Sequence, residues 1–197
     1  MIRYFRLTAA FLLLLTGCDN QIRQYNTALL EMSDRHVGAA ARSFSLLAKS
    51  GYAPAQFRLG ILYLSGLGVP KNSRTAAYWL EKSAQQGNAG AQYFLAKLYA
   101  EGVGVPRSLT LALHWFQQLA EQGYAPAQFQ VGTMYEQGLG TGRNNAEAVK
   151  WIHKAAEYDY PQALSKLAEA YCNGLLGLPK DSRQAEYWQA RTEPKKF

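Results

Sequence analysis

The chain has 197 residues, of which 48% are hydrophobic, 13% aromatic and 18% charged, and its formal net charge is +7. This composition excludes a collagen, a disordered polyelectrolyte and a polytopic membrane protein, and the length fits one compact domain or one short repeat array. Two cysteines are too few for a disulfide-stapled secreted scaffold.

The first eighteen residues have the organisation of an export signal. Arg3 and Arg6 precede an apolar run at 7–15, which is far shorter than the ~20 residues needed to span a bilayer. The tetrapeptide LTGC, from Leu15 to Cys18, resembles the bacterial lipobox. This resemblance implies that residues 1–17 are a lipoprotein signal peptide, and that Cys18 carries a diacylglyceryl lipid after cleavage.

The residue after the predicted lipidation site indicates which membrane anchors the protein. Asp19 directly follows Cys18, and an aspartate there resembles the signal that retains enterobacterial lipoproteins at the inner membrane. The resemblance implies a protein anchored in the bacterial cell envelope by its lipid and facing the periplasm, at the inner rather than the outer membrane. Two alternatives stay open for this segment, an ordinary cleaved signal and a buried N-terminal helix.

An internal repeat with a period of 36 residues follows. The repeated tyrosines are Tyr63, Tyr99, Tyr135 and Tyr171, and the glycines after them are Gly66, Gly102, Gly138 and Gly174. One extra loop residue shifts the fourth copy by one position from Gly177 onward. We predict four units at 53–88, 89–124, 125–160 and 161–191, a lipidated N-terminus with a degenerate capping helix pair at 18–52, and a mobile tail at 192–197.

Each unit is predicted to form two antiparallel helices. Apolar residues spaced four apart, such as Ala55, Leu59 and Tyr63, form the stripe of the first helix that faces the core. A column of small residues beside it permits close helix packing: Gly60, Ala96, Gly132 and Ala168. A Gly-x-Gly loop ends the first helix, and the predicted N-caps of the second helices are Asn72, Ser108, Asn144 and Asp181.

This pattern resembles the Sel-one-like repeat family, a relative of the tetratricopeptide repeats. The copy from Ala53 to Asn88 matches best, through Leu59-Gly60, Tyr63, Gly66-Leu67-Gly68-Val69, Ala76 and Trp79. The resemblance implies an all-α fold, a right-handed α/α solenoid of helix-turn-helix repeats, in an exported bacterial lipoprotein.

No catalytic or metal-binding constellation is apparent in the sequence. His36, His114 and His153 share no metal-ligand spacing on one predicted helix, and the glycines at 138–142 occupy the slot of a turn rather than a phosphate loop. Cys172 has no activating base nearby in sequence and is expected to be a partly buried structural thiol. We therefore predict a protein that is not an enzyme and has no cofactor, no metal and no small-molecule substrate.

Positive charge is scattered, and no block of like charge is longer than Lys195-Lys196. The chain therefore has no local footprint for nucleic-acid binding. Partner specificity in a helical-pair solenoid lies where the copies differ, on the concave wall formed by the first helices. Two columns of variable residues are predicted to bind a protein partner: Arg58, Phe94, Gln130 and Lys166, and, three residues further along, Ile61, Lys97, Thr133 and Glu169. Phe94 is expected to be an exposed aromatic anchor.

The resemblance favours a periplasm-facing, lipid-anchored interaction module. Its most specific reading is an immunity protein, which binds and neutralises an antibacterial effector such as a type VI secretion phospholipase. An assembly adaptor for an envelope machine, serving secretion, polysaccharide export or motility, is the alternative. A hydrolase acting on the cell wall or on β-lactams is a weaker one.

Overall fold

The computed structural model describes residues 19–33 and 36–192, and the regular elements in these ranges are all α-helices. Residues 19–33 form α1. The helices that follow are α2 (Val37–Lys49), α3 (Ala53–Ser65), α4 (Ser73–Ala84), α5 (Ala89–Glu101), α6 (Leu109–Glu121), α7 (Ala125–Gln137), α8 (Asn145–Glu157), α9 (Pro161–Asn173) and α10 (Ser182–Ala190). The predicted signal peptide, Cys18 and the tail from residue 193 lie outside the described residues. None of the helices found in the described ranges combines the length and apolar character that a membrane crossing requires.

The second helix of each of the four repeat units begins at a side-chain cap, as the sequence predicts. Asn72 Oδ1 accepts a hydrogen bond of 3.0 Å from the Thr75 amide, and the Ser108, Asn144 and Asp181 side chains accept equivalent bonds. These oxygens satisfy amides that have no partner inside the helix. The starts of α4, α6, α8 and α10 are therefore encoded locally.

The first helices use different signals. Tyr52, Tyr124 and Tyr160 precede α3, α7 and α9 without a side-chain cap bond, and each of these helices has proline in its first two positions. A proline there loses no helical hydrogen bond because those amides lack an intrahelical acceptor. The same three helices end at a left-handed glycine: Gly66, Gly138 and Gly174.

The small-residue column lies where the two helices of a pair approach most closely. A Cβ atom on Gly60 would lie 2.7 Å from Leu80 Cγ, and one on Gly132 would lie 2.7 Å from Ile152 Cγ1. Glycine lowers helix propensity by roughly 1 kcal/mol relative to alanine, and the buried contacts of Leu80 and Ile152 offset this loss. The predicted role of the column is confirmed at these two sites.

The chain divides into two compact units, one ending at Ala91 and one beginning at Gln92. In the first unit, Phe44, Leu59 and Leu62 are buried in one cluster, and Tyr25 of α1 packs against it. In the second unit, one cluster is built around Phe116, Leu119 and Val131. A further cluster there joins α8 to α9 through buried Ile152, Leu164 and Leu167.

Buried glutamines link the two helices of a pair. Gln86 Nε2 donates to Gln56 Oε1 at 2.7 Å in the first unit, and Gln122 Nε2 donates to Gln92 Oε1 at 2.9 Å in the second. Gln128 occupies the same slot one repeat later, but its Oε1 is buried without a hydrogen-bond partner among the described residues. The donor glutamine of the two earlier repeats is replaced at this slot by Tyr158, which is 65% exposed.

Asp159 occupies the slot where two preceding units have glycine and adopts the left-handed conformation, with φ of 53°. The Arg191 guanidinium donates to Asp159 Oδ1 at 2.6 Å and 3.0 Å, and to the Ala156 carbonyl at 3.0 Å. It also lies 5.2 Å from the centre of the Trp188 ring. Arg191 thereby connects the end of α10 to the end of α8.

Candidate partner-binding surface

The predicted partner-binding residues differ in how far they reach solvent. In the second unit, Phe94, Lys97, Gln130 and Glu169 are exposed, whereas Thr133 and Lys166 are half-buried. In the first unit, Arg58 and Ile61 are both half-buried. Phe94 is 37% exposed, and its ring meets the Tyr93 ring edge-on with the centroids 6.0 Å apart. Partner binding by these eight residues remains a prediction.

Three of the predicted residues make internal polar contacts. Lys166 Nζ on α9 forms an ion pair of 2.8 Å with Glu136 Oε1 on α7. Arg58 Nε donates to the Tyr25 hydroxyl at 3.3 Å, and the Thr133 hydroxyl donates to the carbonyl of the residue four positions earlier. A partner that used these side chains would have to share or replace those bonds.

A groove of about 560 Å³ lies between α9 and α10 in the second unit. Residues one helical turn apart line its α9 side: Ser165, Ala168, Glu169, Cys172 and Asn173. The α10 side is lined by Ala185, Glu186, Gln189 and Ala190. Small apolar side chains thus alternate with polar ones along the groove, and Glu169 and Glu186 supply its charge.

A second groove of about 470 Å³ adjoins the first along α9. It is lined by Phe129, Pro161, Gln162, Ser165, Lys166 and Glu169. Ser165 and Glu169 line both grooves, and Lys166 and Glu169 are predicted binding residues. The structure therefore brings these two predicted residues together on one open surface of α9.

The groove between α9 and α10 is lined at one repeat slot by a residue that differs from the earlier copies. The slot that Ser165 occupies holds an aromatic residue in the three earlier copies: Phe57, Tyr93 and Phe129. The Phe129 ring lies 5.6 Å from the Tyr160 ring at the start of α9 and packs against the cluster that contains Leu164. Ser165 fills no such space, and it is exposed. The missing aromatic at this slot is a sequence signal that the motif-based reading overlooked.

Cys172 corrects an expectation. The sequence predicted a partly buried structural thiol, but Cys172 is exposed and lines the groove between α9 and α10. It lies on the same face of α9 as Ala168 and Ser165, one and two turns away, and this face lines the groove. The prediction was wrong because the burial of this slot depends on what covers α9, which the local sequence does not specify.

The histidines occupy separate environments. His114 is exposed on α6, whereas the His153 ring on α8 contacts the rings of Tyr171 and Trp188 at centroid distances of 6.3 Å and 5.3 Å. Burial lowers the pKa of His153, and the charge of Glu157 opposes that shift. Residues 19–33 and 36–192 contain no group of three His, Cys, Asp or Glu side chains that could hold a metal ion.

The predicted lipidation site cannot be placed, since Cys18 lies outside the described residues. Asp19, the predicted sorting residue, is exposed in the first turn of α1 that the structure describes. Lipidation and membrane sorting therefore stay predictions.

Solved structures of Sel1-type repeat proteins resemble this chain. A Sel1 repeat protein from Oxalobacter formigenes is 31% identical, with a TM-score of 0.82 over 88% of this chain and 72% of its own. A protective antigen with an SLR fold, present in uropathogenic Escherichia coli strains, is 29% identical, also with a TM-score of 0.82. That match covers 89% of this chain, which spans only 38% of the antigen. The predicted fold class, an all-α solenoid of Sel-one-like helix pairs, is confirmed.

Similarity to other solved structures is weaker. An immunity protein from Pseudomonas aeruginosa is 18% identical over 88% of this chain and 81% of its own, with a TM-score of 0.46. A search of curated proteins gave no significant match.

The profile of the Sel1 repeat matches the chain in four consecutive stretches, at 53–88, 89–124, 125–157 and 161–188. These stretches contain the helices from α3 to α9 and most of α10. Together they cover more than half of the sequence, so the chain belongs to the Sel1 repeat family.

Proposed function

We propose that this chain works by binding a protein partner rather than by catalysis, and that the open surface of α9 receives the partner. The family match and the SLR-fold structures support a protein–protein interaction module. The observation that carries the proposal is the pair of adjoining grooves on α9, which share Ser165 and Glu169. Helical repeats offer such side-by-side surfaces for macromolecular partners.

The module acts from the membrane in this proposal. The tetrapeptide from Leu15 to Cys18 supports lipidation of Cys18, and Asp19 supports retention at the inner membrane. A lipid anchor of this kind leaves the repeats facing the periplasm. The surface of α9 is then available to proteins that enter or assemble in the envelope.

The specific function that we propose is immunity. The module binds an incoming antibacterial effector of the phospholipase type, delivered by type VI secretion, and blocks its activity. A phospholipase acts at the membrane surface. An inhibitor anchored to the same membrane therefore has a high local concentration where the enzyme binds its substrate. No small-molecule substrate or cofactor is required for this role.

The test is quantitative mass spectrometry of proteins recovered with the tagged, full-length protein from its own bacterial envelope. A Cys18→Ala variant is the matched control for anchoring. We expect a lipase effector to be recovered in stoichiometric amount with the parent protein, and its activity on phospholipid vesicles to fall when the two are mixed. Recovery of subunits of a secretion, polysaccharide or motility machine would instead identify an adaptor and overturn the immunity proposal.

A double variant tests the predicted binding columns. Phe94→Ala combined with Lys97→Glu removes an exposed aromatic and reverses a charge on α5, in the same two columns that contain Lys166 and Glu169 of α9. Partner recovery should therefore be lost while the helical circular dichroism signal is unchanged. Leu111→Ala combined with Lys150→Glu makes the same kinds of change at exposed positions of α6 and α8 and should leave recovery intact. Unchanged capture by the first variant would remove Phe94 and Lys97 from the binding surface.

A further inference from the structure

The groove between α9 and α10 has a counterpart one repeat earlier that is occupied. There, the pair α7 and α8 is covered by α9, whose Leu164 and Leu167 are buried against Ile152 of α8. Lys166 of α9 reaches Glu136 of α7 at 2.8 Å. The helix that covers this pair therefore contributes bulky apolar side chains and a cation that meets an acidic residue.

The pair α9 and α10 presents a face of similar chemistry but without the large side chains. Serine replaces the aromatic residue at position 165, and Ala168, Ala185 and Ala190 supply small apolar surface. The resulting volume of about 560 Å³ falls within the ~300–1,000 Å³ of typical ligand-binding clefts. The groove therefore has room for large apolar side chains.

The charge of this groove is negative. Glu169 and Glu186 line it, and neither carboxylate belongs to an ion pair formed between residues of the described ranges. Lys166 is the one cation in the sequence of α9, and it is paired with Glu136. An incoming segment with positive charge at its edges would supply the missing counterions.

We infer that the groove between α9 and α10 binds a basic amphipathic α-helix of the partner protein, with the partner's bulky apolar residues over Ser165 and Ala168 and its lysine or arginine residues at Glu169 and Glu186. This inference rests on the proposed function, because it specifies the chemistry of the partner. It follows the helix-in-groove mode of recognition, in which residues at i, i+3, i+4 and i+7 serve as anchors. The helix occupies the position that α9 holds on the pair before it.

Cys172 provides a reporter inside the groove. Cys18→Ala leaves Cys172 as the only cysteine of the chain, so a fluorescent maleimide labels this thiol and no other. The probe ligand is a synthetic helix of roughly 15 residues, with leucines on one face and lysines on both flanks. Its partner probe has glutamates in place of the lysines. Both are titrated against the detergent-solubilised full chain.

We expect the basic peptide to slow the labelling of Cys172, and the acidic peptide to leave the rate unchanged. Glu169→Lys combined with Glu186→Lys should weaken protection by about tenfold or more, whereas Glu121→Lys, on the exposed surface of α6, should have no effect. Ser165→Lys places a cation inside the groove and should also weaken protection, because it repels the lysines of the peptide. Equal protection in the parent, the charge-reversed and the Ser165→Lys proteins would overturn the inference.

Two other occupants give distinct results, and either would overturn the inference. A second copy of the chain would slow the labelling as protein concentration rises without peptide. Occupation by residues 193–197 would appear as faster labelling after their deletion, again without peptide.

The outcome is separable from that of the proposed function. If the envelope yields no lipase effector but the basic peptide protects Cys172 as described, the groove stands and the immunity proposal fails. If an effector is recovered equally well by the parent and by the Glu169→Lys, Glu186→Lys variant, immunity stands and the groove inference fails.

Discussion

The third and fourth helix pairs, α7 with α8 and α9 with α10, share the repeat motif but not the same environment. Phe129 and Gly132 of the third pair lie against neighbouring side chains, whereas Ser165 of the fourth lines an open groove. The second helix is 13 residues long in the third pair and nine in the fourth. The motif thus specifies that a helix pair forms, whereas the surroundings of each pair depend on its variable residues and on the elements next to it.

The largest change in stability that would test this comparison is expected from substitutions in the loops that join the two helices of a pair. Gly140 and Gly177 both have positive φ, 75° and 79°. A Cβ on Gly140 would overlap the Leu109 carbonyl oxygen and lie 2.9 Å from the Thr110 amide, whereas a Cβ on Gly177 would meet nothing within 4 Å. The third loop is therefore packed tightly on α6, and the fourth loop is open.

We expect Gly140→Ala to lower the free energy of unfolding by about 3 kcal/mol, through a left-handed alanine and an overlap with backbone. Gly177→Ala carries only the conformational cost, about 1–2 kcal/mol. Urea denaturation of both variants measures the difference. Equal destabilisation would show that the two loops have the same packing, and the contrast between the pairs would not hold.

A gain in stability is expected from a change at the end of α8. Gln122 completes the bond to Gln92 in the second repeat, whereas Tyr158 leaves Gln128 Oε1 without a donor in the third. Tyr158→Gln should restore the bond and raise the free energy of unfolding by about 1 kcal/mol. In a Gln128→Leu background the same change should give no gain, and urea denaturation of the four proteins isolates the coupling. A gain that persists without Gln128 would exclude this explanation.

The smallest expected effect is a pH dependence of the free energy of unfolding, which is caused by contacts between the fourth pair and the third. Tyr171 and Trp188 cover His153, and burial lowers its pKa below the ordinary value of 6.5. The unfolded chain therefore takes up a proton first as the pH falls, so this contribution to stability is present above about pH 6.5 and is lost below it. The effect is small because His153 is only half-buried.

Unfolding free energies at pH 7.5 and 5.5 test this dependence. The loss between the two values should be smaller in His153→Gln than in the parent chain. His114→Gln, which removes an exposed imidazole from α6, should behave like the parent. A loss that His153→Gln leaves unchanged would assign the acid sensitivity to other groups.

Much of the fold was predictable because its signals are local. Asn72 and Asp181 mark helix starts within three residues, and the spacing of Leu59 and Tyr63 sets the buried face, so the sequence alone predicts the helix pairs. The grooves were not predictable in this way. They depend on what lies above Ser165 and Cys172, which is a contact between distant parts of the chain.

The candidate site, too, was predictable from the sequence only in part. Lys166 and Glu169 were predicted from the two variable columns. The ion pair of Lys166 with Glu136 was not, because it depends on the register between α7 and α9. The left-handed slot of Asp159 was visible in the sequence, since glycine stands there in two earlier copies. Its pairing with Arg191 was not, because Arg191 lies 32 positions later.

Arg191 also has a consequence for the order in which the chain opens. Helix α10 has nine residues and buries only Trp188 fully among them, so it contributes little to the local free energy that opposes fraying. Arg191 ties the last turn of this short helix to Asp159 and to the Ala156 carbonyl, which retards its detachment. Amide hydrogen exchange through α10 should therefore be faster in Arg191→Ala than in the parent chain, and the detachment of this helix would remove one wall of the groove before the rest of the second unit unfolds.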